Sequence, residues 1–291
     1  CVSLFLLFPI PSVHMKFGAH VSIAGGVQNA PLNAAEIGCE VFQMFSRSPQ
    51  GGPAPKLTSD IVEAFKKNCE DNNLVESAIH APYYINFASG EERTRKNTVR
   101  IIREELERGT LLGSKYVMFH PGSAKDVGQE QAMQYCIEGI SKVLDGYNGT
   151  TQLLIEISAG AGMVMGDQFE EVAEMLDGVD HPELGVCFDT AHAFASGYDL
   201  RDEKSIEKTF KTFDKLIGLK KLTMSHCNDS KVGLGERRDR HEHLGEGFIG
   251  LKGFKAMVNS KLISHMNFYL KTEPGDQRLK DLATLKKFRG K

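Results

Sequence analysis

The chain has 291 residues, 41% of them hydrophobic, and a formal net charge of −3. That length supports a deep core and excludes a small disulfide-stapled scaffold. The six cysteines are scattered with no Cys-x-x-Cys pair, so they read as reduced, mostly buried thiols of an intracellular protein. The charge balance does not advertise a nucleic-acid binder, although local fields and bound cations escape such a sum.

Residues 1–15 stand apart from the rest. Their apolar run, residues 2–8, is too short to span a bilayer and lacks a basic flank and a clear small-residue cleavage site. We read 1–15 as a non-globular leader or targeting remnant and 16–291 as a single domain. No other stretch is apolar enough to cross a membrane. Asn148-Gly149-Thr150 and Asn228-Asp229-Ser230 match the glycosylation acceptor pattern, which is accidental in a reduced intracellular protein.

The globular part alternates. A first strand covers 17–21, a turn Gly25-Gly26, a helix 29–37 and a second strand 41–45. After a Pro- and Gly-rich loop, Thr58-Ser59-Asp60 caps a helix over 61–71. A short strand, 77–79, leads to His80. A loop over 81–90 and a charged helix over 91–112 follow. The fourth strand, 116–119, leads to His120, with a helix at 129–144. The fifth, 153–155, leads to Glu156, with a helix at 167–176. The sixth, 184–188, leads to Asp189, with a helix at 202–217. The seventh, 221–225, leads to His226. A long polar loop, 228–247, precedes a helix at 251–258. The eighth strand, 268–271, leads to Glu273, and a basic helix closes the chain.

Strands alternating with helices predict an α/β fold with a parallel sheet. Eight such units over this length predict a closed (β/α)8 TIM barrel, with an open doubly wound sheet as the alternative. In a barrel the strand ends converge on one mouth, where active sites of this fold are built. Here those ends carry His80, His120, Glu156, Asp189, His226 and Glu273. His192 sits one turn beyond Asp189, and Asp239 and His241 lie in the long loop.

Imidazole nitrogen and carboxylate oxygen suit zinc or a similar divalent ion. A single catalytic zinc takes about three protein ligands plus water, so this set suits two or three ions. Four carboxylates at one mouth would repel one another without cations. The cations would also make the pocket locally positive and attractive to phosphate. Metal-assisted phosphodiester cleavage is the reaction this constellation points to. His14, His20, His181, His243 and His265 stay outside the set, because a lone histidine is more often satisfied by a hydrogen bond. The glycines of Gly160-Ala161-Gly162 and Gly166 have the wrong spacing for a dinucleotide loop and read as a tight turn. The Arg237–Arg240 run, with Arg238 and Arg240, is a candidate for phosphate contact. Tyr83-Tyr84, in a Pro-containing loop, could wedge into a base stack.

The motifs are specific in combination. They are Gly18-Ala19-His20-Val21-Ser22, Phe119-His120-Pro121-Gly122-Ser123, Ile155-Glu156, Cys187-Phe188-Asp189-Thr190-Ala191-His192, His226-Cys227-Asn228-Asp229-Ser230 and Asp239-Arg240-His241-Glu242-His243. With them the chain resembles the endonuclease IV family of apurinic/apyrimidinic endonucleases over almost its whole length. The resemblance implies a zinc-dependent deoxyribonuclease of base excision repair. It would hydrolyse the phosphodiester 5′ to an abasic site in double-stranded DNA, leaving a 3′-hydroxyl and a 5′-deoxyribose phosphate.

Three zinc ions are implied. One would be held by His80 and His120, and a second by Asp189, His226 and Glu273, with Glu156 bridging the two. The third would take His192, Asp239 and His241. Glu156, Asp189 and Glu273 would be catalytic, and Tyr83, Tyr84, Arg238 and Arg240 would contact DNA. A monomer is expected, in the nucleus or mitochondrion of a eukaryote or the cytoplasm of a bacterium. Two departures stand out. The loop Ser48-Pro49-Gln50-Gly51-Gly52 lacks the basic and aromatic residues with which the family probes DNA, and Ala191 stands where a Cys is common. The alternative reading is a TIM-barrel sugar isomerase or epimerase with one or two divalent metals.

Overall fold

The computed structural model describes residues 15–290. Residues 1–14 of the expected leader lie outside the described residues. Met15, which that reading included, is buried, and its carbonyl accepts from Arg289 Nη1 at 2.8 Å. The packed domain therefore includes Met15.

Eight parallel strands close a barrel: β1 (Phe17–His20), β2 (Val41–Met44), β3 (Glu76–His80), β4 (Tyr116–Phe119), β5 (Gln152–Glu156), β6 (Leu184–Asp189), β7 (Leu222–His226) and β10 (Asn267–Leu270), with β1 pairing β10 to complete the ring. Such strands read as short continuous apolar runs because helices cover their outer face while the barrel interior covers the other. The main helices between them are α1 (Ala30–Glu36), α2 (Ser59–Asp71), α3 (Glu92–Leu112), α4 (Gln129–Leu144), α5 (Phe169–Val179), α7 (Glu203–Leu216) and α8 (Gly250–Val258), with α9 (Asp276–Arg289) last.

α7 shows how the sequence builds this outer layer. Ile206, Thr209, Phe210 and Phe213 recur at helical spacing and are its buried residues. Asp202 caps it by accepting from Ser205 N at 2.9 Å.

Inside the barrel, Val41, Ala78, Met118, Leu154, Cys187, Met224 and Tyr269 form one apolar layer. Gly18 completes its wall, because a Cβ there would fall 1.6 Å from the Val41 carbonyl oxygen. The floor is polar: Glu76 accepts from the Tyr269 hydroxyl, from Asn267 Nδ2 at 2.9 Å and from Lys115 Nζ at 2.9 Å. Side chains alternate along a strand. Two residues beyond each member of the apolar layer therefore point inward again, one storey higher. Those positions are Gln43, His80, His120, Glu156, Asp189, His226 and Lys271.

Two short elements were not anticipated. α6 (Thr190–Ala195) starts directly at the end of β6, and β8 (Asp229–Ser230) pairs antiparallel with β9 (His241–Glu242) inside the long polar loop. Among the described residues the cysteines are free, and no helix is long and apolar enough to cross a membrane. Asn228 is fully buried, which removes it as a glycosylation acceptor.

Candidate metal centre

Glu156, at the end of β5, is the hub. Its carboxylate is fully buried, and Oε2 has no hydrogen-bond donor. His80 Nε2 and His120 Nε2 each lie 3.2 Å from that oxygen. His80 Nδ1 donates to the Ala81 carbonyl at 2.6 Å, so Nε2 is left as the nitrogen with the lone pair. Burial, helped by the nearby Lys271 charge, pushes the His80 pKa down to about 4. Burial likewise pushes His120 down to about 3. Both rings are therefore neutral at pH 7. Two imidazole lone pairs and a carboxylate oxygen converge, acceptor against acceptor, which is a donor set that a divalent cation satisfies.

The other carboxylate oxygen serves a second group. His226 Nε2 donates to Gln43 Oε1 at 2.6 Å, and His226 Nδ1 then faces Glu156 Oε1 at 2.8 Å and Asp189 Oδ2 at 3.5 Å. Gln43 Nε2 donates in turn to His20 Nδ1 at 2.9 Å, so the glutamine orients both rings. Burial opposes ionisation of Glu156, but His120, His226 and Lys271 hold its carboxyl well below the usual range.

The third group is Asp189, His192 and His241. His192 Nδ1 donates to the Ile157 carbonyl at 2.9 Å. Its Nε2 lies 3.2 Å from His241 Nε2, and Asp239 Oδ1 lies 3.2 Å and 3.3 Å from these two nitrogens. Asp189 also caps α6, accepting from His192 N at 3.0 Å, so one carboxylate both positions His192 and faces the ring.

The long loop is organised by Asp229. Its buried carboxylate accepts from the backbone of Ser230, Ile249, Gly245 and Gly250 at 2.8 to 3.1 Å. This closes the loop and presents Asp239 and His241 to the mouth. Asn228 donates to Asp189 Oδ2 at 3.0 Å and accepts from Lys271 N at 2.7 Å, which ties the ends of β6 and β10 together.

An open cavity of about 420 Å³ beside the ring is lined by Tyr83, Tyr84, His120, His192 and Asp239 among others. Comparisons with known proteins identify the family. The model of the xylose isomerase-like TIM barrel family matches residues 31–288. A protein of Halothermothrix orenii named probable endonuclease 4 is 38% identical over 269 residues, covering 92% of this chain and 97% of its own. The crystal structure of endonuclease IV from Thermus thermophilus superposes with a TM-score of 0.82 at 34% identity, over 94% of this chain and 97% of that one. The chain belongs to the endonuclease IV family. It is accordingly a hydrolase of the endonuclease class. A D-tagatose 3-epimerase-like protein also superposes, with a TM-score of 0.73 at 21% identity, which is a likeness of fold alone.

Of the ligand set expected for an endonuclease IV, the structure brings together His80, His120, Glu156, Asp189, His192, His226, Asp239 and His241. It does not bring in Glu273. That residue lies beyond the end of β10, exposed, and belongs to none of the three groups. The inward position at that strand end is Lys271, two residues after Tyr269, with its Nζ 3.1 Å from His80 Nε2 and 3.6 Å from Glu156 Oε1. Burial lowers the pKa of this ammonium, but Glu156 and Asp189 outweigh it and hold it above the ordinary lysine value.

The residues expected to touch DNA are at the rim. Tyr83 is 62% exposed and Tyr84 38%. Arg238 and Arg240 are exposed, while Arg237 anchors the loop through Asp167 Oδ2 at 2.5 Å and the Gly160 carbonyl at 3.2 Å. Gly160, Gly162 and Gly166 all have positive φ, as the tight-turn reading requires. Arg47, just before the atypical Ser48–Gly52 loop, turns inward to Glu105 and to Glu104 at 2.9 Å. His243 pairs with Asp281 at 2.7 Å and His265 donates to the Leu222 carbonyl at 2.9 Å, so both are satisfied away from the ring.

Proposed function

We propose that this protein is a zinc-dependent DNA repair endonuclease that hydrolyses the phosphodiester 5′ to an abasic site in double-stranded DNA. The products are a 3′-hydroxyl and a 5′-deoxyribose phosphate. The observation that carries this reading is the buried Glu156 carboxylate, whose Oε2 lacks a donor and whose two oxygens are both faced by imidazoles, below a rim of exposed tyrosines and arginines.

Nitrogen and carboxylate donors without thiolates favour zinc among the common ions. His80, His120 and Glu156 would hold one ion, and Asp189, His192 and His241, with Asp239 alongside, another. Bound zinc supplies Lewis acidity toward a phosphoryl oxygen and toward water. The chain's own residues do the rest. Glu156 fixes the spacing of the groups it joins. The Ile157 carbonyl orients the His192 ring, and Gln43 the His226 ring, so that the other nitrogen of each faces the metal groups. Arg238 and Arg240 offer charge to flanking phosphates. Tyr83 and Tyr84 present flat faces to the gap left by a missing base. The protein acts as a monomer inside the cell, without a membrane.

A sugar epimerase would share the barrel but has no use for an exposed Tyr83-Tyr84 pair and an arginine-bearing loop above the metal groups. Incubation with an end-labelled duplex carrying one abasic site tests the proposal. Zinc-loaded protein is expected to nick that strand 5′ to the site, leaving a 3′ end that a polymerase extends, and to leave the intact duplex uncut. Equal cutting of both duplexes, or no cutting with zinc bound, refutes it.

A further inference from the structure

The eighth barrel strand delivers a cation where the resemblance led us to expect a carboxylate. The Lys271 side chain is only 10% exposed and its Nζ sits inside the ring, 3.1 Å from His80 Nε2 and 3.6 Å from Glu156 Oε1. The oxygen it approaches is the one that Glu156 offers to the second group. With Glu273 outside, that group keeps only Glu156, Asp189 and His226. An ammonium has three donors and no lone pair, so it cannot replace a carboxylate as a ligand. It carries the same sign as a metal ion and competes for the same oxygen.

The backbone leaves Lys271 little choice. Its N–H donates to Asn228 Oδ1 at 2.7 Å, and its neighbour Tyr269 fills the apolar layer below. The strand register therefore aims the side chain at the ring. Charge gives the same answer. Three carboxylates, Glu156, Asp189 and Asp239, face one ammonium there. Two divalent ions give this ring the positive balance that three ions would give four carboxylates without the lysine.

We propose that the Lys271 ammonium stands in for the ion of the Glu156–Asp189–His226 group, so that the ring holds two divalent ions rather than three. The inference rests on the metal-site reading above and specifies it for this chain. The retained ions are those of the His80–His120–Glu156 and Asp189–His192–His241 groups.

The test is metal content after zinc reconstitution and exhaustive dialysis, with folding checked by circular dichroism. The wild-type protein is expected to retain about two zinc ions per chain, the number typical of a paired metal site. Lys271→Glu supplies the missing carboxylate and is expected to gain one ion. Lys271→Met removes the competing charge and is expected to gain one more weakly, because three protein ligands suffice for a zinc with an open position. Three ions in the wild-type protein overturn the proposal, as does a folded variant pair in which neither gains zinc. If both variants fail to fold, the wild-type stoichiometry alone decides. Zinc content is read without substrate, so two bound ions with no nicking count against the DNA reading only. Three bound ions with nicking count against the role of Lys271 only.

Discussion

Glu156→Gln is expected to abolish nicking while the barrel stays folded. Gln has the shape of Glu, and its amide can donate to the His80 or His120 lone pair that now faces a bare oxygen. The fold is thus spared. What is lost is a carboxylate shared by two of the metal groups. Lewis-acid stabilisation of a phosphoryl transition state is worth several kcal/mol. At about 1.4 kcal/mol per tenfold, the rate should fall about a thousandfold or more. Affinity for an abasic duplex should fall much less, because Tyr83, Tyr84, Arg238 and Arg240 are exposed at the rim and none of them bonds to Glu156. Single-turnover nicking and a binding titration measure the two effects separately. Nicking within tenfold of wild type would remove Glu156 from its assigned place.

Chelation is expected to lower the melting temperature sharply. An ion that binds only the folded ring at a thousand times its Kd stabilises by about 4 kcal/mol. For a domain of this size each kcal/mol shifts the transition by about 2–4 °C, so the loss should be near 10 °C. Unfolding should remain cooperative, since Asp189 keeps its bonds to His192 N and Asn228 Nδ2 and Asp229 keeps its four backbone donors. Zinc added back should restore the transition, as followed by circular dichroism. A melting curve indifferent to chelator and to zinc would mean the ring is stabilised by its internal hydrogen bonds alone.

The barrel was legible because its strands are apolar runs that stop at a polar strand end, and its helices carry periodic apolar faces. His80, His120, Glu156, Asp189 and His226 followed from the strand ends, and His192 from its spacing to Asp189. Asp239 and His241 could be named as candidates, but nothing local showed how their loop returns to the mouth. That return depends on Asp229, whose carboxylate gathers amides from as far as Gly250. The two-residue strands β8 and β9 are too short to leave a periodic pattern. α6 is buried on every side, so it shows no amphipathic stripe.

Glu273 shares the parity of Tyr269 and Lys271, but it lies one storey past the ring, beyond the end of β10. Tyr269 lies in the apolar layer, which sends Lys271 and not Thr272 into the ring. Gln43 and Asn228 are not legible in the sequence, because a neutral amide carries no metal-ligand signal. The structure shows them fixing His226 and Asp189.

Anomalous scattering recorded on either side of the zinc absorption edge, from crystals of zinc-loaded protein, examines the metal ring most directly. The expected map has one peak within bonding distance of His80, His120 and Glu156 and one among Asp189, His192 and His241, with Lys271 Nζ beside Glu156 and no peak there. A map without a peak at either group would contradict the account.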